Sequence, residues 1–148
     1  MKLLRFFKRE PDVVVGDLKN PYLLRWHVIP RNKFFNIYLH KFLRSDDDRA
    51  LHDHMYDNIS ILLKGEYIEI TRTHGLTQYK AGDIIFRRAK KPHRILLDEG
   101  KPVWTLFFCG PRYREWGFHC PQGWRHWREF LDGDYTKGEQ SVRGKGCN

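Results

Sequence analysis

The amino-acid sequence predicts an all-β fold, a sandwich or barrel of short strands, with a single short helix near the C-terminus. Three observations predict it. Between residues 34 and 109, short runs rich in β-branched and aromatic residues recur at strand spacing. Gly65, Gly75 and Gly82 fall between those runs, where the chain must reverse and where glycine alone takes positive φ cheaply. Helical periodicity is confined to residues 124–131, where Trp124, Trp127, Phe130 and Leu131 share one face and Arg125, Arg128 and Glu129 the other.

The first strand is expected over residues 34–42. There Phe35, Ile37 and Leu39 alternate with Asn36, Tyr38 and His40, so both faces of the strand are candidates for partial burial. Residues 58–63 stop at Lys64-Gly65, residues 66–71 follow, and His74-Gly75 supplies a turn, which together read as a hairpin-like unit. Residues 83–87 after Ala81-Gly82, residues 93–97 after Pro92, and residues 103–109 complete the set. The predicted organisation is an N-terminal extension packed on the barrel (1–33), the barrel with a C-terminal cap (34–131), and a polar, glycine- and lysine-rich tail (132–148). The aromatic and turn-rich stretch 116–124 reads as a lid.

A chain of 148 residues with 41% hydrophobic and 15% aromatic residues suits one domain with its own core. Its net charge of +9 raises the question of an anionic partner. The basic residues, however, are spread along the chain, and the densest cluster, Arg87-Arg88-Ala89-Lys90-Lys91, sits where a strand should turn. No nucleic-acid-reading motif is present, so neither specific nucleic-acid binding nor membrane binding is expected. The N-terminus carries charges every few residues in place of an apolar leader, and Cys109, Cys120 and Cys147 show none of the spacings of a disulfide framework or a cysteine-rich zinc site. A reducing cytoplasm is the expected location.

The chemistry concentrates in Leu51-His52-Asp53-His54-Met55-Tyr56-Asp57-Asn58. Histidines two apart on an extended strand project from the same face, so His52 and His54 can share one ion, with a third ligand arriving from elsewhere. Alone, this pair is a weak signal, and two surface or hydrogen-bonded histidines are its plainer reading.

The surrounding spacing resembles the cupin superfamily. Its first motif runs His-x-His, three or four residues, Glu, six residues, Gly. This chain has His52-x-His54, three residues, Asn58, six residues, Gly65. The second motif places a glycine eleven residues before a histidine, as Gly82 stands before His93, although Arg88 and Lys90 replace its usual Pro and Gly. The resemblance implies an antiparallel double-stranded β-helix, the cupin or jelly-roll barrel, with His52, His54 and His93 holding a divalent metal. Asn58 stands where most metal-binding cupins carry a glutamate ligand, which leaves it a weak amide contact or an outer hydrogen bond. Asp57 could ligate only through a strand irregularity.

A three-histidine set of this kind is similar to that of thiol dioxygenases. It implies Fe(II), with Zn, Mn or Ni as alternatives, and a non-haem iron dioxygenase-type enzyme acting on a small, anionic molecule. A non-catalytic ligand-binding cupin and a sugar-nucleotide isomerase or epimerase-type barrel are the alternatives. Tyr38, His40 and Arg87 are candidate pocket residues, each with a plainer reading as a satisfied barrel residue or surface charge. His119 and Cys120 offer too few donors for a second zinc site. Cupins often dimerise, so the resemblance also allows a homodimer.

Overall fold

The computed structural model describes residues 9–46, 49–131, 133–134, 139–140 and 144–148. Along the chain the strands are β1 (Val13–Asp17), β2 (Asn20–His27), β3 (Asn36–Phe42), β4 (Leu51–His52), β5 (Asn58–Lys64), β6 (Glu66–Thr71) and β7 (Gly75–Lys80). They continue as β8 (Ile84–Arg87), β9 (His93–Leu96), β10 (Val103–Cys109), β11 (Gly117–Cys120) and β12 (Gly123–His126). The helix α1 (Trp127–Phe130) follows, and β13 (Gly133–Asp134) pairs with β14 (Glu139–Gln140) as a separate ribbon. One sheet has the order β1-β2-β3-β10-β5-β8 and the other β12-β11-β4-β9-β6-β7, with antiparallel pairing throughout. Residues 13–27 thus extend the first sheet beyond β3.

Strand register sorts the barrel interior into layers. Leu23, Phe42, Leu62, Tyr67, Ile85, Ile95 and Val103 form an apolar plug at one end. One step along the same inward faces stand His40 and Thr105, which are cross-strand partners, with Ser60, Arg87, Glu69 and His93, all buried. Asn36 and His40 of β3, Asn58 and Ser60 of β5, and Glu69 and Thr71 of β6 therefore face inward. Several apolar neighbours face outward, and Ile59, Ile84 and Phe86 are exposed. A second apolar cluster joins Phe118, Cys120, Phe130 and Leu131, with Phe118 and Phe130 stacked at 3.7 Å between ring centroids.

Residues 124–131 depart from the expected single helix. Residues 124–126 pair with β11, Phe118 opposite Arg125 and His119 opposite Trp124. Only Trp127–Phe130 is helical, capped by the His126 side chain, which accepts from the Arg128 N–H. The hairpin partner satisfies backbone groups that an isolated helix would have to satisfy internally, so tertiary pairing overrides the local periodicity. The stretch expected to form a lid is instead this β11–β12 hairpin, built into the second sheet beside β4. Cys120 also departs from expectation, being disulfide-bonded to Cys147 across 27 residues, a separation that no local spacing rule detects. Among the described residues no helix is long and apolar enough to cross a membrane.

Gly65 joins β5 to β6 at φ +87°, and an added Cβ would lie 3.0 Å from the Pro102 carbonyl and 3.1 Å from Val103. Gly65→Ala is expected to cost about 1–3 kcal/mol, from the strained φ and the contact with the plug. Urea unfolding of the two proteins checks this.

Candidate metal centre

β4 and β9 are neighbours in the second sheet, with His52 directly opposite His93. His54 lies just past the end of β4, where its N–H donates to the Ala89 carbonyl (2.9 Å) and its own carbonyl accepts from Arg114 (2.8 Å). The three rings converge: centroids are 4.8 Å apart for His52–His93, 5.0 Å for His54–His93 and 5.2 Å for His52–His54. One ring nitrogen from each lies within 4.8 Å of the other two, and Nε2 of His54 is 2.8 Å from Nε2 of His93. Two nitrogens bound to one first-row ion at about 2.0–2.1 Å are about 3 Å apart, so this donor set fits a divalent metal.

Electrostatics keep His54 and His93 in the neutral form that ligation requires. Burial pushes His54 well below the usual imidazole range, and the facing His93 and His52 push it further. His93 is depressed in the same way, by burial first, then by His52 and Arg87. Behind the rings stand carboxylates. Glu69 Oε1 accepts from His93 Nδ1 at 2.5 Å, and Asp46 Oδ2 lies 3.7 Å from His52 Nδ1.

No protein-family model matches the sequence, and no curated protein matches it significantly. Solved structures do match. An uncharacterised conserved protein with a double-stranded β-helix domain from Klebsiella pneumoniae is similar at TM-score 0.54 and 16% identity, covering 72% of this chain and 90% of that one. A cupin superfamily protein from Desulfitobacterium hafniense is similar at TM-score 0.50 and 14% identity, covering 67% and 84%. Fe(II) HppE is similar at TM-score 0.56 and 14% identity, covering 69% and 57%. This chain has the cupin fold.

Within that cupin barrel the histidines sit on the wall of a cavity of about 1690 Å³, which His40, Asn58, Arg87, Arg25 and Phe107 also line. Asn58 is buried; its amide N–H makes one long bond to the Tyr56 carbonyl (3.4 Å), and its Oδ1 has no partner among the described residues. Asp57 lies apart from the cluster, accepting from the Ala89 N–H (2.7 Å) and the Tyr113 hydroxyl (2.8 Å), bonds that hold its carboxyl below the usual range.

The three candidate pocket residues take different places. His40 is buried against Phe107 at 5.0 Å, and its Nε2 accepts from Arg25 Nε at 2.9 Å. An arginine only donates, so neutral His40 carries its proton on Nδ1, which is buried without a partner among the described residues. Tyr38 does not line the cavity; it lies behind Arg25, whose guanidinium sits 4.6 Å from the ring centre. Arg87 is held by Glu69 (2.5 Å), Tyr67 (2.7 Å) and Ser60 (3.1 Å).

Two residues escaped the sequence reading. Glu69 sits in a run whose isoleucines suggest the inward face, so only the register reveals that the carboxylate points inward. Asp53, between the two histidines, is 1% exposed and accepts from the Gly117 N–H, His119, Trp124 and Arg114. It ties the β11–β12 hairpin to the strand that carries the metal donors. His119 is thereby committed to Asp53 and Cys120 to Cys147.

His40, His54 and His93 are all held well below pH 6.5, burial being the largest cause in each. Once unfolded they regain their ordinary proton affinity. Below about pH 6.5 the unfolded chain then binds more protons than the folded one, and stability falls with pH. Urea midpoints measured in chelator are expected to drop steadily from pH 7.5 to pH 5.5, beyond the change in a His40→Asn variant.

Proposed function

We propose that this cupin is a metal-dependent enzyme of the mononuclear non-haem iron dioxygenase type, acting on a small, polar, anionic molecule. The observation that carries the proposal is the convergence of three imidazoles at one point on a cavity wall. Fe(II) bound there would offer open coordination positions to oxygen and substrate. Zinc, manganese and nickel suit the same donors, so the choice of iron rests on the three-histidine resemblance.

The chain's own residues account for substrate capture. Arg25 lines the cavity with its Nε tied to His40, and its other donors have no protein partner among the described residues. A guanidinium held from one side in this way is preorganised for a carboxylate or phosphate. Phe107 and Tyr56, with ring centres 6.1 Å apart, give the cavity an apolar wall that excludes water from the region beside His54. Asn58 contributes no charge, so an anionic ligand meets no competing carboxylate from that position.

A cytoplasmic setting belongs to the same proposal, and the Cys120–Cys147 bond is the feature that tests it. In that reducing compartment Cys120 and Cys147 would stand as thiols, which thiol counting on protein trapped at lysis checks.

The decisive experiment loads untagged protein with Fe(II) anaerobically and follows oxygen uptake with a panel of small carboxylates, thiols and phosphorylated compounds. Uptake that depends on one substrate class and on iron, and is lost with zinc, is the expected result. Protein that holds stoichiometric metal yet turns nothing over would shift the reading to a ligand-binding cupin. Replacing His52, His54 or His93 with Ala is expected to remove most bound metal, while Asn58→Ala loses much less and Asn58→Glu tightens it. Arg25→Gln should raise KM for an anionic substrate about tenfold at unchanged metal content.

A further inference from the structure

Beneath His93 lies a buried polar network that the metal centre does not itself require. Glu69 Oε1 accepts two bonds of 2.5 Å, one from His93 Nδ1 and one from Arg87 Nε. Arg87 in turn donates to the Ser60 hydroxyl at 3.1 Å and the Tyr67 hydroxyl at 2.7 Å. The Glu69 and Arg87 side chains are 6% and 4% exposed. Glu69 reaches His93 because β6 and β9 are paired, with Thr71 opposite His93 and Glu69 one inward step away.

We infer that Glu69 is the positioning residue of the histidine centre: it holds the proton of His93 on Nδ1 and so aims a bare Nε2 at the point where His52 and His54 converge. The inference rests on the metal reading given above and extends it to a residue that touches no ligand. A carboxylate only accepts, so the shared hydrogen must belong to His93. A neutral imidazole has one N–H, and with that hydrogen on Nδ1 the Nε2 keeps its lone pair. The 2.8 Å approach of His54 Nε2 to His93 Nε2 agrees with this, because His54 then donates to the bare nitrogen when no ion is bound. A carboxylate behind an imidazole also raises its basicity as a ligand. The anionic group that Asn58 does not provide beside the metal position is thus supplied from behind one of its donors. Arg87 is the counterion that keeps Glu69 in place, and each of its three nitrogens donates to one of Glu69, Ser60 and Tyr67.

The test combines a tautomer measurement with a metal titration. Nitrogen-15 NMR of histidine-labelled, metal-free wild-type protein is expected to show His93 as the Nδ1–H tautomer; an Nε2–H signal overturns the inference without any variant being made. In Glu69→Gln the tautomer should become mixed and the dissociation constant for Co(II) should rise 10–100-fold. Tyr67→Phe, which loosens Arg87 but leaves the Glu69–His93 bond intact, should lower stability while keeping the wild-type tautomer and Co(II) affinity. If Glu69→Gln fails to fold, the paired variant Glu69→Gln with Arg87→Met removes both charges together and is read the same way. A Co(II) affinity within twofold of wild type together with an unchanged His93 tautomer would overturn the proposal. A wild type that takes up no Co(II) removes the metal reading instead, and Glu69 then stands or falls on the tautomer alone.

Discussion

The buried ion pair between Glu69 and Arg87 is the interaction on which the rest of this barrel depends. Arg87 comes from β8 at the edge of one sheet and Glu69 from β6 in the other, so their bond spans the interior and ties the two sheets together. Removing two charges from water is expensive, and the cost is offset only when geometry is good and the remaining donors are satisfied. Here Ser60 and Tyr67 take up further guanidinium N–H groups. A slip of one residue in either strand would turn one of the charges out of the barrel, so the pair constrains register as well as packing.

That constraint accounts for an interior that runs against simple hydrophobic patterning. With Glu69, Arg87, Ser60 and Asn58 facing inward, the intervening Ile59, Ile84 and Phe86 must face outward, where they are exposed. The apolar work is done at the end of the barrel by the plug around Leu62 and Val103, which are 1% and 0% exposed. Hydrophobic burial at one end thus allows a polar belt at the histidines, and the belt in turn fixes the direction of His93.

A second carboxylate supports the site from outside. Asp53 alternates with His52 and His54, so it points to the opposite side of the chain and gathers donors from Gly117, His119, Trp124 and Arg114. The hairpin that it anchors packs through Phe118 on Phe130, and Cys120 is joined to Cys147. In this way the C-terminal residues brace the same strand segment that presents two of the three metal donors. Burial keeps His54 and His93 neutral, and neutrality is what lets those two imidazoles approach so closely without repelling one another.

The sequence by itself determined the parts that depend on local spacing. Alternation and turn glycines placed strands within a residue or two of β5, β6, β8, β9 and β10. The His-x-His pair with a distant third histidine marked the three residues that the structure brings together. Tertiary structure alone decided what depends on register and on long-range partners. Period-2 alternation defines two faces of a strand but cannot say which one faces the barrel interior; in β6 it is Tyr67, Glu69 and Thr71, not the isoleucines, that are buried. Spacing marks Arg87 as a candidate pocket residue, but only the fold sets Glu69, Tyr67 and Ser60 around it. Residues 124–126 carried helical spacing, but pairing with β11 satisfied their backbone in a strand. The Cys120–Cys147 bond joins residues too far apart for any local pattern. A strand's shape is settled by its own residues within a few ångströms, whereas the role of a buried charge is settled by whichever groups the fold brings to meet it.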